Sequence, residues 1–205
     1  MKVALANIGK EFEYKWVFRN INFTFESNKF YAITGPNGSG KSTLLKMLSG
    51  YITPTEGKIN FYYQGKEVKT EELYRHFSLA APFCELPGEL TFPEVLDFQS
   101  RFKPFLKDFE PEKLVKLFGY EDSIHLPLDN FSSGMLQRTK ILLALASDTP
   151  LVLLDEPTSF LDQKGKAWFK NLLNDFLYEK RTVIMATNLQ EERKLSNEIF
   201  ELEGQ

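Results

Sequence analysis

The sequence predicts an α/β domain with a helical subdomain inserted into it, and three observations carry that reading. Short apolar runs of strand length alternate with stretches of helical spacing along most of the 205 residues. One run, residues 151–154, is apolar without interruption, as a strand covered on both faces requires. From Phe92 to about Leu126 the alternation stops and two helical patterns follow one another.

Taken in order, Ile21, Phe23 and Phe25 alternate with Asn22, Thr24 and Glu26, the period of a half-buried strand. Residues 30–34 form a short apolar strand that runs into a glycine-rich turn, and residues 42–49 a helix closed by Gly50. Residues 54–57 read as a turn, and 59–63 as a strand ending at the Gln64-Gly65 turn. The helical segment holds two short helices, 93–102 and 111–118, the second stopped by Gly119. Helices are expected at 133–147 and 163–179, a strand at 182–186, a short helix at 190–195 and one further strand near the end. There is no repeat, low-complexity tract or Gly/Ser linker, so the chain reads as one domain: a core of 1–90 and 128–205, with about 91–127 as the helical insert.

Composition excludes several classes. Lys and Arg number 25 against 28 Asp and Glu, a net charge of -3, so the basic excess of a nucleic-acid binder is missing. A lone cysteine, Cys84, rules out an internal disulfide and fits a reducing cytosol. The first residues lack the apolar core of a signal peptide, and no stretch approaches the ~20 apolar residues of a membrane span. Any membrane part of the system is expected on another chain.

Two motifs carry chemistry. Gly35-Pro36-Asn37-Gly38-Ser39-Gly40-Lys41-Ser42-Thr43 matches G-x-x-x-x-G-K-[ST] between a strand and a helix. Its glycines let the backbone turn tightly and aim N–H groups at phosphate oxygens, and the helix adds its positive N-terminus. Lys41 can reach the outer phosphates, and the Ser42 hydroxyl can ligate Mg2+. Chance would supply the four fixed positions in on the order of one in a hundred chains of this length, and the strand–loop–helix context lowers that further. The second motif is the apolar run 151–154 ending in Asp155 and Glu156. A buried strand delivers such carboxylates at its C-terminal edge, where ligands of open α/β sheets bind. Asp155 is placed to hold Mg2+, and Glu156 to activate the attacking water.

Between these motifs lies Asn130-Phe131-Ser132-Ser133-Gly134-Met135-Leu136-Gln137-Arg138. The order phosphate loop, Ser-Ser-Gly segment, acidic strand end resembles the ABC ATPase family over nearly the whole chain. The resemblance implies a P-loop NTPase core with a mixed sheet, an N-terminal antiparallel β part and an inserted helical subdomain. It implies ATP and Mg2+ as ligands and a head-to-tail dimer with a second such subunit, in which Ser132 and Gly134 cap the partner's ATP. Residues 158–162 look like the family's D-loop, carrying Asp162. Phe12, just before the first paired strands, aligns with the aromatic that stacks on adenine, with Tyr14 and Trp16 as rivals. The family also implies a separate transmembrane permease and a cytoplasmic, membrane-peripheral location. The short chain is similar to the small two-subunit exporters, the haem-exporter ATPases of cytochrome c maturation among them.

Two positions depart from the family. Its switch histidine should follow the strand 182–186, but Thr187-Asn188 stands there, and the only histidines, His76 and His125, precede the acidic strand. His76 is expected at the surface and His125 in a loop. Asn188 can donate a hydrogen bond but carries neither proton nor charge. Losing one donor to transition-state charge typically costs ~10²–10³-fold in rate. The family's Q-loop glutamine is likewise missing: Ala81-Pro82 occupies that place, and no glutamine falls between Gln64 and Gln99. The expected function is therefore a transporter's ATP-driven motor subunit, with a nucleotide-binding partner of weak turnover as the alternative. A DNA-repair or ribosome-associated ATPase fits neither the length nor the charge.

Overall fold

A computed structural model describes residues 1–176 and 181–203. In chain order the elements are β1 (Lys2–Phe12), β2 (Lys15–Phe25), β3 (Phe30–Thr34), α1 (Lys41–Leu48), β4 (Glu56–Tyr63), β5 (Lys66–Val68) and β6 (Phe77–Ala80). There follow α2 (Phe92–Phe102), α3 (Pro111–Phe118), α4 (Ser133–Ala146), β7 (Leu151–Asp155), α5 (Gln163–Phe176), β8 (Thr182–Ala186), α6 (Gln190–Arg193) and β9 (Glu198–Glu201). The mixed α/β class is as expected, with both an antiparallel and a parallel sheet. The end of the helix expected at 163–179 lies outside the described residues. The chain divides into two compact units, one of Met1–Phe77, Pro150–Glu156 and Lys180–Gln205, the other of Ser78–Thr149 and Pro157–Glu179.

The first unit contains an antiparallel sheet in the order β2-β1-β4-β5. Glu13 and Tyr14, at φ 46° and 63°, make the β1–β2 turn, and Gln64 and Gly65, at 51° and 77°, make the β4–β5 turn. Paired positive φ angles are what a two-residue hairpin between right-twisted strands needs. β1 buries Val3 and Leu5, then slips register before Ile8 at a bulge where Asn7 sits at φ 50°. The Asn22 carboxamide holds that bulge, accepting from the Asn7 backbone N–H at 2.9 Å and donating to the Asn7 side chain at 2.7 Å. Phe12, expected just before the paired strands, is instead the last residue of β1, opposite Lys15.

The parallel part of this unit runs β7-β8-β3-β9. β3, β7 and β8 are buried at all five positions, which accounts for a sequence apolar except at the single end residues Thr34, Asp155 and Thr182. The register pairs Ala186 with both Ile33 and Asp155, so the carboxyl ends of these three strands are level. The glycine-rich turn, the two acids and Thr187-Asn188 all leave from that edge. His76 proves half-buried, its ring 5.4 Å from that of Tyr63.

In the second unit, Thr91 and Glu94 form a reciprocal capping box that starts α2. Gly119, at φ 77°, ends α3 in the left-handed conformation. Stacked rings at Phe92–Phe118 and Phe118–Phe131 fill its interior. Arg138 is buried, donates to the Phe118 carbonyl at 3.1 Å and lies against the rings of Tyr120 and Trp168. Gln137 is buried too, donating to the Pro157 carbonyl at 2.9 Å. The Gln-Arg pair that trails the Ser-Ser-Gly segment thus braces α4.

Candidate nucleotide site

β3 delivers the chain into the phosphate loop, and two of its glycines are obligatory for steric reasons. A Cβ on Gly35, at φ 149°, would stand 2.3 Å from the Leu202 carbonyl oxygen. One on Gly40, at φ 97°, would meet Val17 at 2.5 Å and the Phe18 ring at 2.7 Å. Gly38 has open space around it, so its φ of 82° alone favours glycine. Gly40 caps α1, and its carbonyl accepts the first helical bond from Leu44. The Lys41 ammonium folds back over the loop and donates to the carbonyls of Gly35 and Pro36, each at 3.0 Å. Burial holds Lys41 below the ordinary lysine range; the charges of Glu156 and Asp155 oppose that shift and Arg193 adds to it.

β7 brings Asp155 to the loop from below. Its side chain is 2% exposed and accepts from the Ser42 hydroxyl at 3.1 Å. Burial pushes its carboxyl above the usual aspartate value, opposed by the Ser42 bond and raised further by Glu156. Glu156, the next residue, is exposed and stands at φ 45°, its N–H tied to the Ala186 carbonyl at 2.9 Å. A non-glycine residue there is uncommon, and such strain concentrates at functional sites.

Past β8, the Asn188 amide donates to the Asn37 side chain at 2.5 Å, bridging to the phosphate loop. Thr187 bonds the buried Glu192 carboxylate and accepts from the Leu189 N–H at 2.9 Å. Phe12, Val17, Asn37, Gly38, Gly40 through Thr43 and Glu156 line a cleft of about 490 Å³. Of the three rival aromatics, only Phe12 lies on that wall, 47% exposed. Tyr14 is 96% exposed at the turn, and the Arg19 guanidinium covers the Trp16 ring at 4.0 Å. Sequence reasoning missed Val17 on the cleft wall, whose apolar character gives no signal, and the charge of Arg193 felt at Lys41.

Ser132, Gly134, Asp162 and Ala81 belong to the other unit. Ser132 is the N-cap of α4, accepting from the Met135 N–H at 3.2 Å. A Cβ on Gly134 would approach the Phe160 carbonyl oxygen at 3.3 Å. Asp162 accepts from the Gly165 N–H at 2.7 Å, capping α5. Ala81 is fully buried, with its carbonyl 3.5 Å from the Lys140 ammonium.

The donor set fits phosphate and Mg2+. The buried polar side-chain atoms without a partner, among the described residues, are Ser39 Oγ, Asn188 Oδ1 and Arg193 Nε. All three belong to the phosphate loop or the segment just past β8, and native proteins rarely leave such atoms unmet unless something binds there. Asp155 and Ser42 offer hard oxygen, and the buried aspartate's charge is one a cation would offset. No cluster of three or more acidic, His or Cys side chains that could cage a metal occurs among the described residues.

Comparison with known proteins shows the family. The ABC transporter family model matches residues 18–159. The chain is 32% identical, over 93% of its own length and 87% of the other's, to an uncharacterised ABC transporter ATP-binding protein, YybJ, of Bacillus subtilis. It is 30% identical, over 92% and 89%, to the cytochrome c biogenesis ATP-binding export protein CcmA of Agrobacterium fabrum. Among solved structures, a dimeric, post-hydrolysis state of the ATP-binding cassette MJ0796 bound to ADP and Pi superposes with a TM-score of 0.84 at 25% identity, over 99% and 96% of the two chains. With a family match over more than half its length and relatives aligned nearly end to end, the chain belongs to the ABC transporter ATP-binding family and is an ATPase cassette.

Proposed function

We propose that this chain is a motor subunit that binds and hydrolyses Mg-ATP in a head-to-tail dimer, and so drives a separate membrane subunit from the cytoplasmic face. The observation that carries the proposal is the Ser42–Asp155 bond at the foot of the phosphate loop, with Glu156 beside it on the cleft wall. Gly35, Gly38 and Gly40 shape the cradle, Asn37, Ser39 and Thr43 contribute to it, and Lys41 supplies its charge. Ser42 and Asp155 would hold Mg2+, which when bound neutralises phosphate charge. Glu156 accepts a proton from the attacking water. Phe12 offers a ring for the adenine, while Ser132, Gly134 and Asp162 face the partner's nucleotide.

The dimer is supported by the MJ0796 structure, itself dimeric with ADP and Pi. The membrane partner is supported by the export protein CcmA among the relatives. No helix among the described residues is long and apolar enough to cross a membrane, which fits a permease on another chain.

A second reading, a nucleotide-gated partner with little turnover, is favoured by one observation: the Asn188 amide is already committed to Asn37. Steady-state hydrolysis beside Glu156→Gln, with binding and dimer size followed in both, separates the two. The motor reading expects the wild type near ~1–10³ s⁻¹. The variant should turn over at least ~10²-fold more slowly while binding ATP and accumulating as a dimer. Binding without turnover in both proteins would instead establish the gated partner.

A further inference from the structure

Arg193 is the last residue of α6, five positions past Asn188, and α6 packs on β3, the strand that feeds the phosphate loop. Its guanidinium has no partner that accounts for it. Among the described residues no carboxylate pairs with it. Its Nε is shut away from solvent and makes no hydrogen bond. An arginine at a protein surface normally keeps its nitrogens wet or bonds them, because a buried unmet donor is costly and more so when charged. Its location is informative, since the other two unmet buried atoms, Ser39 Oγ and Asn188 Oδ1, belong to the nucleotide site. The charge of Arg193 is also felt at the Lys41 ammonium, after those of Glu156 and Asp155. A guanidinium with an unmet buried Nε, near enough to the phosphate loop to act on its lysine, describes a site that an anion completes.

We infer that Arg193 is a ligand of the terminal phosphate of bound ATP, supplying from α6 the positive charge that Asn188 lacks. The inference rests on the functional reading above and deepens it. Asn188 stays with Asn37 and keeps the loop and the end of β8 together, while the cation comes from one helical turn further on. Because a guanidinium carries several fixed N–H donors, it can hold a phosphate oxygen without any proton transfer.

The test compares Mg-ATP and Mg-ADP binding by the full chain in the Glu156→Gln background, which prevents turnover. Two variants are added to it, Arg193→Met and Arg193→Lys. Methionine keeps an apolar stem in place of arginine's and removes the charge; lysine keeps the charge without the fork. A charge-assisted contact to the third phosphate predicts that Arg193→Met weakens ATP about 10- to 100-fold and leaves ADP within about twofold, with Arg193→Lys in between. Unchanged ADP binding also shows that the variant has folded. Equal losses for ATP and ADP, or no loss for either, overturn the inference and leave the motor reading standing. If the Glu156→Gln parent itself binds neither nucleotide, the functional reading fails, and this inference with it.

Discussion

Asp155 shows how a single residue sets function against stability. Its carboxyl is raised by burial, so the folded chain holds the proton more tightly than the unfolded chain does. The folded state then binds more protons from the unfolded value near 3.8 up to the folded one, and apo stability falls as pH climbs through that window. Asp155→Asn removes the ionisation. We expect its apo form to melt higher than wild type at pH 7, by about 2–4 °C for each kcal/mol relieved, and to lose any stabilisation by Mg2+. Melting curves from pH 4 to pH 8 check this, and an equal or lower midpoint at pH 7 would refute it. This residue was legible in the sequence because an unbroken apolar run announces a buried strand, and the acid follows at its end. Arg193 was not legible. Glu191-Glu192-Arg193-Lys194 reads as a solvated charge run, and only the fold shows that Glu192 is buried against Thr187 and that Arg193 Nε is unmet.

At the scale of elements, what could be read depended on how local its cause was. β3 and β8 were read to the residue because burial on every position keeps four consecutive residues of each apolar, with only the end threonines Thr34 and Thr182 polar. α3 was read as well because Pro111 and Gly119 punctuate it. β1 was not read: its buried positions change phase at the Asn7 bulge, which breaks the period of two. β2 was read only at its last five residues, since its first half carries exposed Lys15, Arg19 and Asn20. β5 is three residues long and mostly polar, below any pattern's reach. Phe12 was set on the wrong side of the strands because its place depends on that unread pairing. α4 offers the element-level test. Ser132 is its only side-chain N-cap, so Ser132→Ala should cost about 1 kcal/mol, lowering the melting midpoint by about 2–4 °C. ADP binding at the phosphate loop should stay as in wild type. Thermal melts and an ADP titration check both, and a weakened ADP affinity would contradict the assignment of Ser132 to the partner's nucleotide.

At the scale of the molecule, one unit carries the phosphate loop with both acids, and the other carries Ser132, Gly134 and Asp162. In the proposed dimer each chain would lend the second set to its partner, so two chains make two complete sites. The backbone at Glu156 has a consequence of its own. A left-handed φ costs an ordinary residue about 1–2 kcal/mol, and here it is held only by what surrounds it, the Ala186 carbonyl among them. The aim of that carboxylate is therefore borrowed from the sheet and not a preference of its own. Mild heat that lets the strand ends relax would release it while the hydrophobic interior is still intact. Such a protein would fall silent on warming several degrees before it melts, and would recover its activity fully on cooling.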